Sequence, residues 1–369
     1  MPSIFKANFV ACLYAHVAVL LLMAAMFTPS VQAEDKPWYP FPVDVLKASP
    51  SGGEVKTPFD YVPLAKSDRQ WRICVSFPHM KDSYWLAVNY GLVQEASRLG
   101  VNMRLLQAGG YDGLGNQIRQ IRECVRAGTD AVVIGAISLD GLNGLVGELR
   151  GKGLPVIDLV NGMSSQRVSA RSQVSFREMG FAAGTYIAKR HPANDGNKAK
   201  IAWFPGPRGA GWVTAGNEGF AQALHGSATE IVATRYGDTG QEAQSKLIEE
   251  ELSRHPDLDY IAGTAVTAGA ALPILRAHGL EKQVKVVSYY LTAEVYRGIQ
   301  RGHILAAPTD SAVIQGRIAI DQSVRILQQQ DFTKDAGPRI KVFDASNMQS
   351  AERLFSLAPS GFRPRKILT

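Results

Sequence analysis

From Trp71 onward the chain repeats one pattern, and that pattern limits the folds open to it. Short continuous apolar runs alternate with amphipathic stretches of helical period. The runs are Trp71–Phe77, Val101–Gln107, Ala131–Gly135, Pro155–Val160, Ala199–Phe204, Glu230–Tyr236, Tyr260–Gly263 and Val284–Tyr290. Helical stretches at Ser83–Leu99, Asn116–Ala127, Asp140–Lys152, Phe176–Lys189, Trp212–Leu224, Gln241–His255, Val266–His278, Thr292–Arg301 and Asp310–Gln329 separate or follow them. A strand that is apolar along its whole length is buried on both faces, which is the signature of a parallel sheet covered by helices. So many units exceed one open sheet, so the pattern predicts an α/β protein of two doubly wound parallel-sheet lobes. In such sheets ligands sit beyond the carboxyl ends of the strands, and the cleft between two facing lobes is the expected site.

The N-terminus fixes the expected compartment. Residues 1–33 carry one charged side chain, Lys6, then an apolar run from Phe9 to Phe27, then Thr28-Pro-Ser-Val-Gln-Ala33. Val31 and Ala33 supply the small-x-small pattern of a cleaved signal peptide, so residues 1–33 are read as an export signal and the mature protein as periplasmic. An uncleaved anchor is the alternative, since the run approaches spanning length. No later segment is apolar for long enough to enter a membrane. Cys12 leaves with the signal. Cys74 and Cys124 remain, either as a disulfide, which an oxidising compartment allows, or as two buried thiols.

Residues 34–66 differ from the rest, with six prolines and the aromatics Trp38, Tyr39, Phe41, Phe59 and Tyr61. Proline at that density argues against a long helix or a central strand. The aromatic surface argues against a flexible tail. An extended proline-rich strap, packed on the body or on a partner, is the expectation.

Several function classes are disfavoured. There are 40 basic against 33 acidic residues, scattered rather than gathered into a stripe, which gives no footprint for nucleic acid. Gly206-Pro-Arg-Gly-Ala-Gly211 is glycine-rich but no Gly-Lys-Ser/Thr follows it, and neither H-E-x-x-H nor G-x-S-x-G occurs. The expectation is a binding protein with no enzymatic activity, no cofactor and no metal. The histidines mostly lie at helix ends; His79 alone stands near a strand end.

The strand ends carry aromatics instead. Tyr84 and Trp85 follow the first run, Tyr111 the second, and Trp212 the strand ending at Phe204; Tyr289 and Tyr290 end the last. Neighbours on a strand point to opposite faces, so one of that pair faces the cleft, and Tyr290 is the better placed. An aromatic there can also be an ordinary core plug. If these rings converge, they form a cage of negative π-faces, suited to a methylated ammonium centre through cation–π contact. Asp82 and Asp310 stand just before helices, where a carboxylate caps the first turn. Asp82 can also orient a ligand-bound water, and Asp310, at a crossover, can serve the hinge or the site.

Several motifs in order resemble the type I periplasmic binding proteins, the ribose-binding and LacI-type fold. They are Asp82-Ser-Tyr-Trp85, Gln94-Glu-Ala-Ser-Arg-Leu-Gly100, Arg126-Ala-Gly-Thr-Asp-Ala131, Gly216-Asn-Glu-Gly-Phe220 and Gly302-His-Ile-Leu-Ala306. The helix-turn-helix of a LacI-type regulator has no room here, because the signal peptide occupies its place. Trp38–Asp44, Lys81–Gly91 and Ala108–Tyr111 resemble a narrower group, periplasmic receptors that report trimethylamine N-oxide to a membrane sensor histidine kinase. The resemblance implies three interlobe crossovers, near Arg171–Ser175, Ala306–Thr309 and Lys334–Arg339. It implies a first lobe of residues 67–172 plus 307–336 and a second of 173–306 plus 337–369. It also implies trimethylamine N-oxide as ligand, the periplasmic domain of a sensor kinase as partner, and Asp82, Tyr84, Trp85, Tyr111, Trp212 and Tyr290 as the binding residues. The alternative reading is the substrate-binding protein of a transporter for a sugar or a quaternary amine.

Overall fold

The computed structural model describes residues 37–48, 54–348 and 352–369. The expected signal peptide, and the first three residues of the expected strap, lie outside the described residues. The body spans Tyr39–Thr369. It begins with β1 (Phe41–Ala48) and β2 (Glu54–Tyr61), then β3 (Arg72–Phe77), α1 (Ser83–Leu99), β4 (Asn102–Gln107), α2 (Leu114–Arg126), β5 (Ala131–Ile134) and α3 (Asn143–Gly151). β6 (Val156–Leu159), β7 (Ala170–Ser172), α4 (Phe176–Ala188), β8 (Ala199–Gly206), α5 (Gly211–Leu224), β9 (Thr229–Tyr236), α6 (Gln241–Arg254) and β10 (Tyr260–Gly263) follow. The rest is α7 (Ala265–Ala277), β11 (Lys285–Ser288), α8 (Ala293–Gln300), β12 (Ala306–Thr309), α9 (Ala312–Leu327), β13 (Asp335–Pro338), β14 (Lys341–Asp344), α10 (Arg353–Ser356) and β15 (Ile367–Leu368).

The strands form two principal sheets. One has nine strands in the order β15-β4-β3-β5-β6-β7-β13-β1-β2; the other has four, β11-β10-β8-β9. The β4-β3-β5-β6-β7 block and the whole second sheet are parallel, and the strands β5, β6 and β10 are buried at every residue. This is the two-sheet α/β architecture that the alternation of apolar runs predicts. The chain leaves the first sheet at β7 for α4, returns from β12 into α9, and leaves again from β13 into β14, which pairs with β12. Cys74 on β3 and Cys124 on α2 are joined as a disulfide.

Two helix pairs brace the ends of the cleft, and glycine permits both. α1 packs on α9 so closely that a Cβ on Gly91 would stand 1.9 Å from the Val313 carbonyl oxygen. α4 packs on α5 in the same way, with a Gly180 Cβ falling 2.0 Å from the Gly216 carbonyl oxygen. No side chain fits at either place.

Two sequence expectations are corrected. The segment 34–66 does contain an interior strand: β1 lies between β2 and β13, antiparallel to both. Proline does not prevent this because β1 pairs with β13 only over Val43–Val45, beyond Pro42, while Pro58 sits on the edge strand β2. The range 337–369 does not stay with the second sheet. β14 pairs with β12, but Ile367 and Leu368 pair with β4 at the edge of the first sheet.

Beyond β2 the strap is clasped to α1 and α9 by buried charge. Asp321 on α9 is fully buried. It accepts from the Tyr61 hydroxyl at 2.6 Å, the Leu64 N–H at 2.7 Å and Arg325 Nε at 2.7 Å. Burial, with the Asp321 carboxylate beside it, raises the Tyr61 hydroxyl pKa well above its ordinary value. Glu95 on α1, also buried, pairs with Arg98, which donates to the Leu64 and Ala65 carbonyls. Arg325 donates to the Val62 carbonyl at 2.8 Å.

Candidate functional site

A cavity lies between the carboxyl ends of the two sheets. It holds about 290 Å³ of atom-free space, part of it open to solvent, and is lined by Asp82, Tyr84, Trp85, Tyr111, Val160, Asn161, Phe176, Trp212, Thr239 and Tyr290.

Each wall is set by local sequence. Asp82 caps α1, its carboxylate accepting from the Trp85 N–H at 3.2 Å, and so fixes the first turn that carries Tyr84 and Trp85. Tyr111 stands in the turn after β4, and the Asn161 amide donates to its hydroxyl at 3.0 Å. Phe176 opens α4, behind the Ser175 cap. Trp212 is in the first turn of α5, and Tyr290 follows β11. The rings interlock. Tyr84 meets Tyr290 edge-on at 5.3 Å, Trp212 meets Tyr290 edge-on at 6.1 Å, and Trp212 lies 6.0 Å from Tyr111 and 5.8 Å from Phe176. Rings from the first sheet's helix and loop therefore close against rings from the second.

The polar atoms are unevenly satisfied. The Tyr84 hydroxyl donates to Asp310, which also accepts from Gln315 Nε2 at 2.7 Å. Of the roles the sequence leaves open for Asp310, cap or hinge and site, the cap is not the one it takes. The cap of α9 is Ser311, held at φ 52°, and the Asp310 carboxylate is turned inward to Tyr84 and Gln315. Burial raises its pKa. The Tyr289 hydroxyl donates to the Pro205 carbonyl at 2.7 Å, so that ring backs Trp212 while Tyr290 faces the cavity. The Trp212 Nε1–H is different: it is buried and meets no acceptor in hydrogen-bonding geometry. Burial pushes the Asp82 carboxyl up to about 6, against the pull of the backbone N–H groups of Trp85 and Tyr84, with Glu294 and Asp238 adding to the rise. Burial holds His79 down at about 4. His79 does not line the cavity; its Nε2 is 2.9 Å from Thr239 Oγ1, a contact between loops of the two sheets. A wider groove of about 1,020 Å³ of atom-free space shares Asp82 and Thr239 with the cavity and is flanked by Lys81, Arg297, Arg301 and His303.

The six residues singled out from the sequence all line this one cavity. Four further lining residues escaped that reading. Val160 and Asn161 follow β6 and Thr239 follows β9, so the strand-end rule that selected the aromatics could have found them. Phe176 gives no sequence signal beyond its place after a Ser cap. Among the described residues no cluster of metal-ligating side chains occurs.

A two-sheet binding cleft of this form defines a class. A family model described as a periplasmic binding protein domain matches residues 73–331, and the chain belongs to that family and is a periplasmic protein. Within the family it is similar to periplasmic protein TorT of Escherichia coli K12, 38% identical over 302 residues that cover 81% of this chain and 85% of that protein. Among solved structures it resembles an ABC transporter solute-binding protein from Bradyrhizobium sp. BTAi1 with bound bis-tris, at 51% identity and TM-score 0.76, covering 89% of this chain and 98% of that one. It also resembles the complex of TorT with the TorS sensor domain in the presence of TMAO, at 35% identity and TM-score 0.74, covering 80% of this chain and 100% of that one.

Proposed function

We propose that this chain is a periplasmic receptor that binds trimethylamine N-oxide between its two lobes and reports it to the periplasmic domain of a membrane sensor histidine kinase, without converting it chemically. One observation carries the reading: an aromatic cage in which the Trp212 Nε1–H is buried beside the Tyr111 hydroxyl with no acceptor in good hydrogen-bonding geometry. A trimethylammonium group presents methyls with spread positive charge, which ring faces attract by ~2 kcal/mol or more when water is excluded. The N-oxide oxygen needs one strong donor, and Trp212 Nε1 is placed to give it. The Asp82 carboxylate adds negative charge beside the ammonium side. The similarity to TorT and to its complex with the TorS sensor domain supports both ligand and partner.

The two lobes rock about the three crossovers. Ligand that touches rings of both lobes favours the closed form by its differential affinity. A kinase domain that prefers one arrangement is coupled to the ligand reciprocally.

Isothermal titration of residues 34–369 with trimethylamine N-oxide, betaine, choline and ribose tests the reading. Saturable heat with the N-oxide, lost in Trp212→Phe, is expected; heat with ribose alone overturns it. The second reading, a transporter's binding protein for a sugar or a quaternary amine, is favoured by the 51% identity to a solute-binding protein with bound bis-tris, an amine with polar arms. The wider groove gives such arms room. Tighter binding of bis-tris than of the N-oxide would select it.

A further inference from the structure

One edge of the cavity is a turn that ought not to hold its shape unaided. Val160, the residue after β6, has φ 68°. That left-handed conformation is a genuine outlier for a β-branched side chain and is strained. The strain buys position for Asn161. Its Nδ2 donates to the Ala136 carbonyl at 2.7 Å and to the Tyr111 hydroxyl at 3.0 Å. Asn161 thus fixes one ring of the cage.

The group that sustains the turn lies two residues back. Asp158 sits in β6, a strand buried at every position, where an apolar side chain would serve the sheet better. It is fully buried and does not line the cavity. Its Oδ2 accepts from the Met163 N–H at 2.7 Å. That bond closes the turn that begins at Val160, on top of the bond from the Asn161 N–H to the Leu159 carbonyl at 2.8 Å. On its other side, Arg171 Nε of β7 lies 3.7 Å from Asp158 Oδ2. The same guanidinium is 3.4 Å from Asp335 of β13 and donates to the Ser165 carbonyl at 2.8 Å. β7 and β13 are strands from which the chain leaves the first sheet.

We propose that Asp158 is a positioning residue for the binding cavity. By accepting from the Met163 amide it holds Val160 left-handed, sets Asn161, and through Asn161 sets Tyr111; Arg171 ties this turn to the crossover strands. The affinity part of this inference rests on the proposed ligand, the turn geometry does not.

The test uses the mature chain, with Asp158→Leu, which keeps the branched heavy-atom skeleton and lacks an acceptor, and Asp158→Asn as the milder change. Amide exchange over residues 160–163 is read without ligand, and trimethylamine N-oxide affinity alongside it. Exchange there is expected to rise about tenfold or more in Asp158→Leu while β3 and β5 stay protected, as loss of a hydrogen bond to a charged group predicts. Affinity is expected to fall by a similar factor. Adding Val160→Gly, which takes the left-handed turn without strain, is expected to restore protection at Val160 and Asn161, whose N–H groups keep the Ser172 and Leu159 carbonyls as acceptors, a rescue that a general loss of stability would not show. Unchanged exchange in Asp158→Leu, or no rescue by Val160→Gly, overturns the proposal. If the wild-type chain does not bind the N-oxide, the ligand reading fails and the exchange data alone still decide this one. If Asp158→Leu does not fold, the same exchange measurement on Asp158→Asn decides it, with faster exchange at Met163 in support and none against.

Discussion

The two glycine-joined helix pairs begin alike and end differently. α1 and α9 start at the cavity with Tyr84, Trp85 and the Asp310 that holds Tyr84; α4 and α5 start there with Phe176 and Trp212. Both pairs approach backbone to backbone. At the far end, however, α1 and α9 run into the buried charges Glu95, Arg98, Asp321 and Arg325, which bond to the strap. The described link from the strap to α4 is the surface pair Lys56–Glu178, with both side chains well exposed. Buried charge that is fully partnered fixes one geometry, because any shift leaves a charge in low dielectric. The first wall of the cage is therefore anchored to the strap, and the second is left to move against it.

Asp321→Ala attacks the anchor directly and carries the largest expected effect. It strands Arg325, the Tyr61 hydroxyl and the Leu64 N–H, a loss of ~3–5 kcal/mol in denaturant unfolding. Glu178→Ala, the matching change on the other pair, should stay within ~1 kcal/mol. Equal losses would dissolve the contrast between the pairs.

Next come the glycines, where the two pairs should behave alike. Gly91→Ala and Gly180→Ala each drive a methyl into a backbone carbonyl, at ~1–3 kcal/mol or more. Thermal unfolding of the two variants side by side checks this. A silent Gly180→Ala would mean that α4 and α5 slide freely.

At the cavity ends the pairs should part again. Tyr84→Phe leaves the buried Asp310 without the hydroxyl it accepts from, so stability falls by ~1–3 kcal/mol. Trp212→Phe removes a donor that has no acceptor in good geometry, so the melting temperature should hardly move while affinity for the N-oxide drops about tenfold. Stability loss in Trp212→Phe, with affinity kept, would show the indole to be a packing group.

The last effect is the pH response of the contact between the walls. His79 is held neutral, with its pKa lowered from 6.5 to about 4 by burial. A depressed histidine favours the folded form above pH 6.5, and that contribution is lost as pH falls from 6.5 through 4. His79→Gln, which keeps a partner for Thr239, should lose less stability than the parent across that window. Identical acid profiles would remove His79 from the account.

The body of the fold was legible because parallel strands buried on both faces must read as unbroken apolar runs. The cage residues were legible because strand ends are where such sheets meet ligand, and Tyr84, Trp85 and Tyr111 stand there in plain order. Tyr290 could be separated from Tyr289 by strand alternation alone. The strap was misread, since proline content says where a ladder is interrupted and not where it resumes: Val43–Val45 pair beyond Pro42. The inward turn of Asp310 was hidden because a carboxylate before a helix looks like a cap in any sequence. The role of Asp158 depends on an amide further along the chain and on a left-handed valine, and no periodicity reports either.

The register of β1 has a consequence for how the molecule is made. Val43 lies opposite Pro338, so the strand Phe41–Ala48 waits for Asp335–Pro338, made almost 300 residues later. A chain delivered across a membrane from its N-terminus exposes the β1 segment, with Phe41, Val43 and Val45, before β13 has arrived. Contacts so distant in sequence form late and slowly. Until then the hairpin edge is open to other strands, which makes the interval between export and closure the period of greatest exposure to aggregation or to periplasmic chaperones.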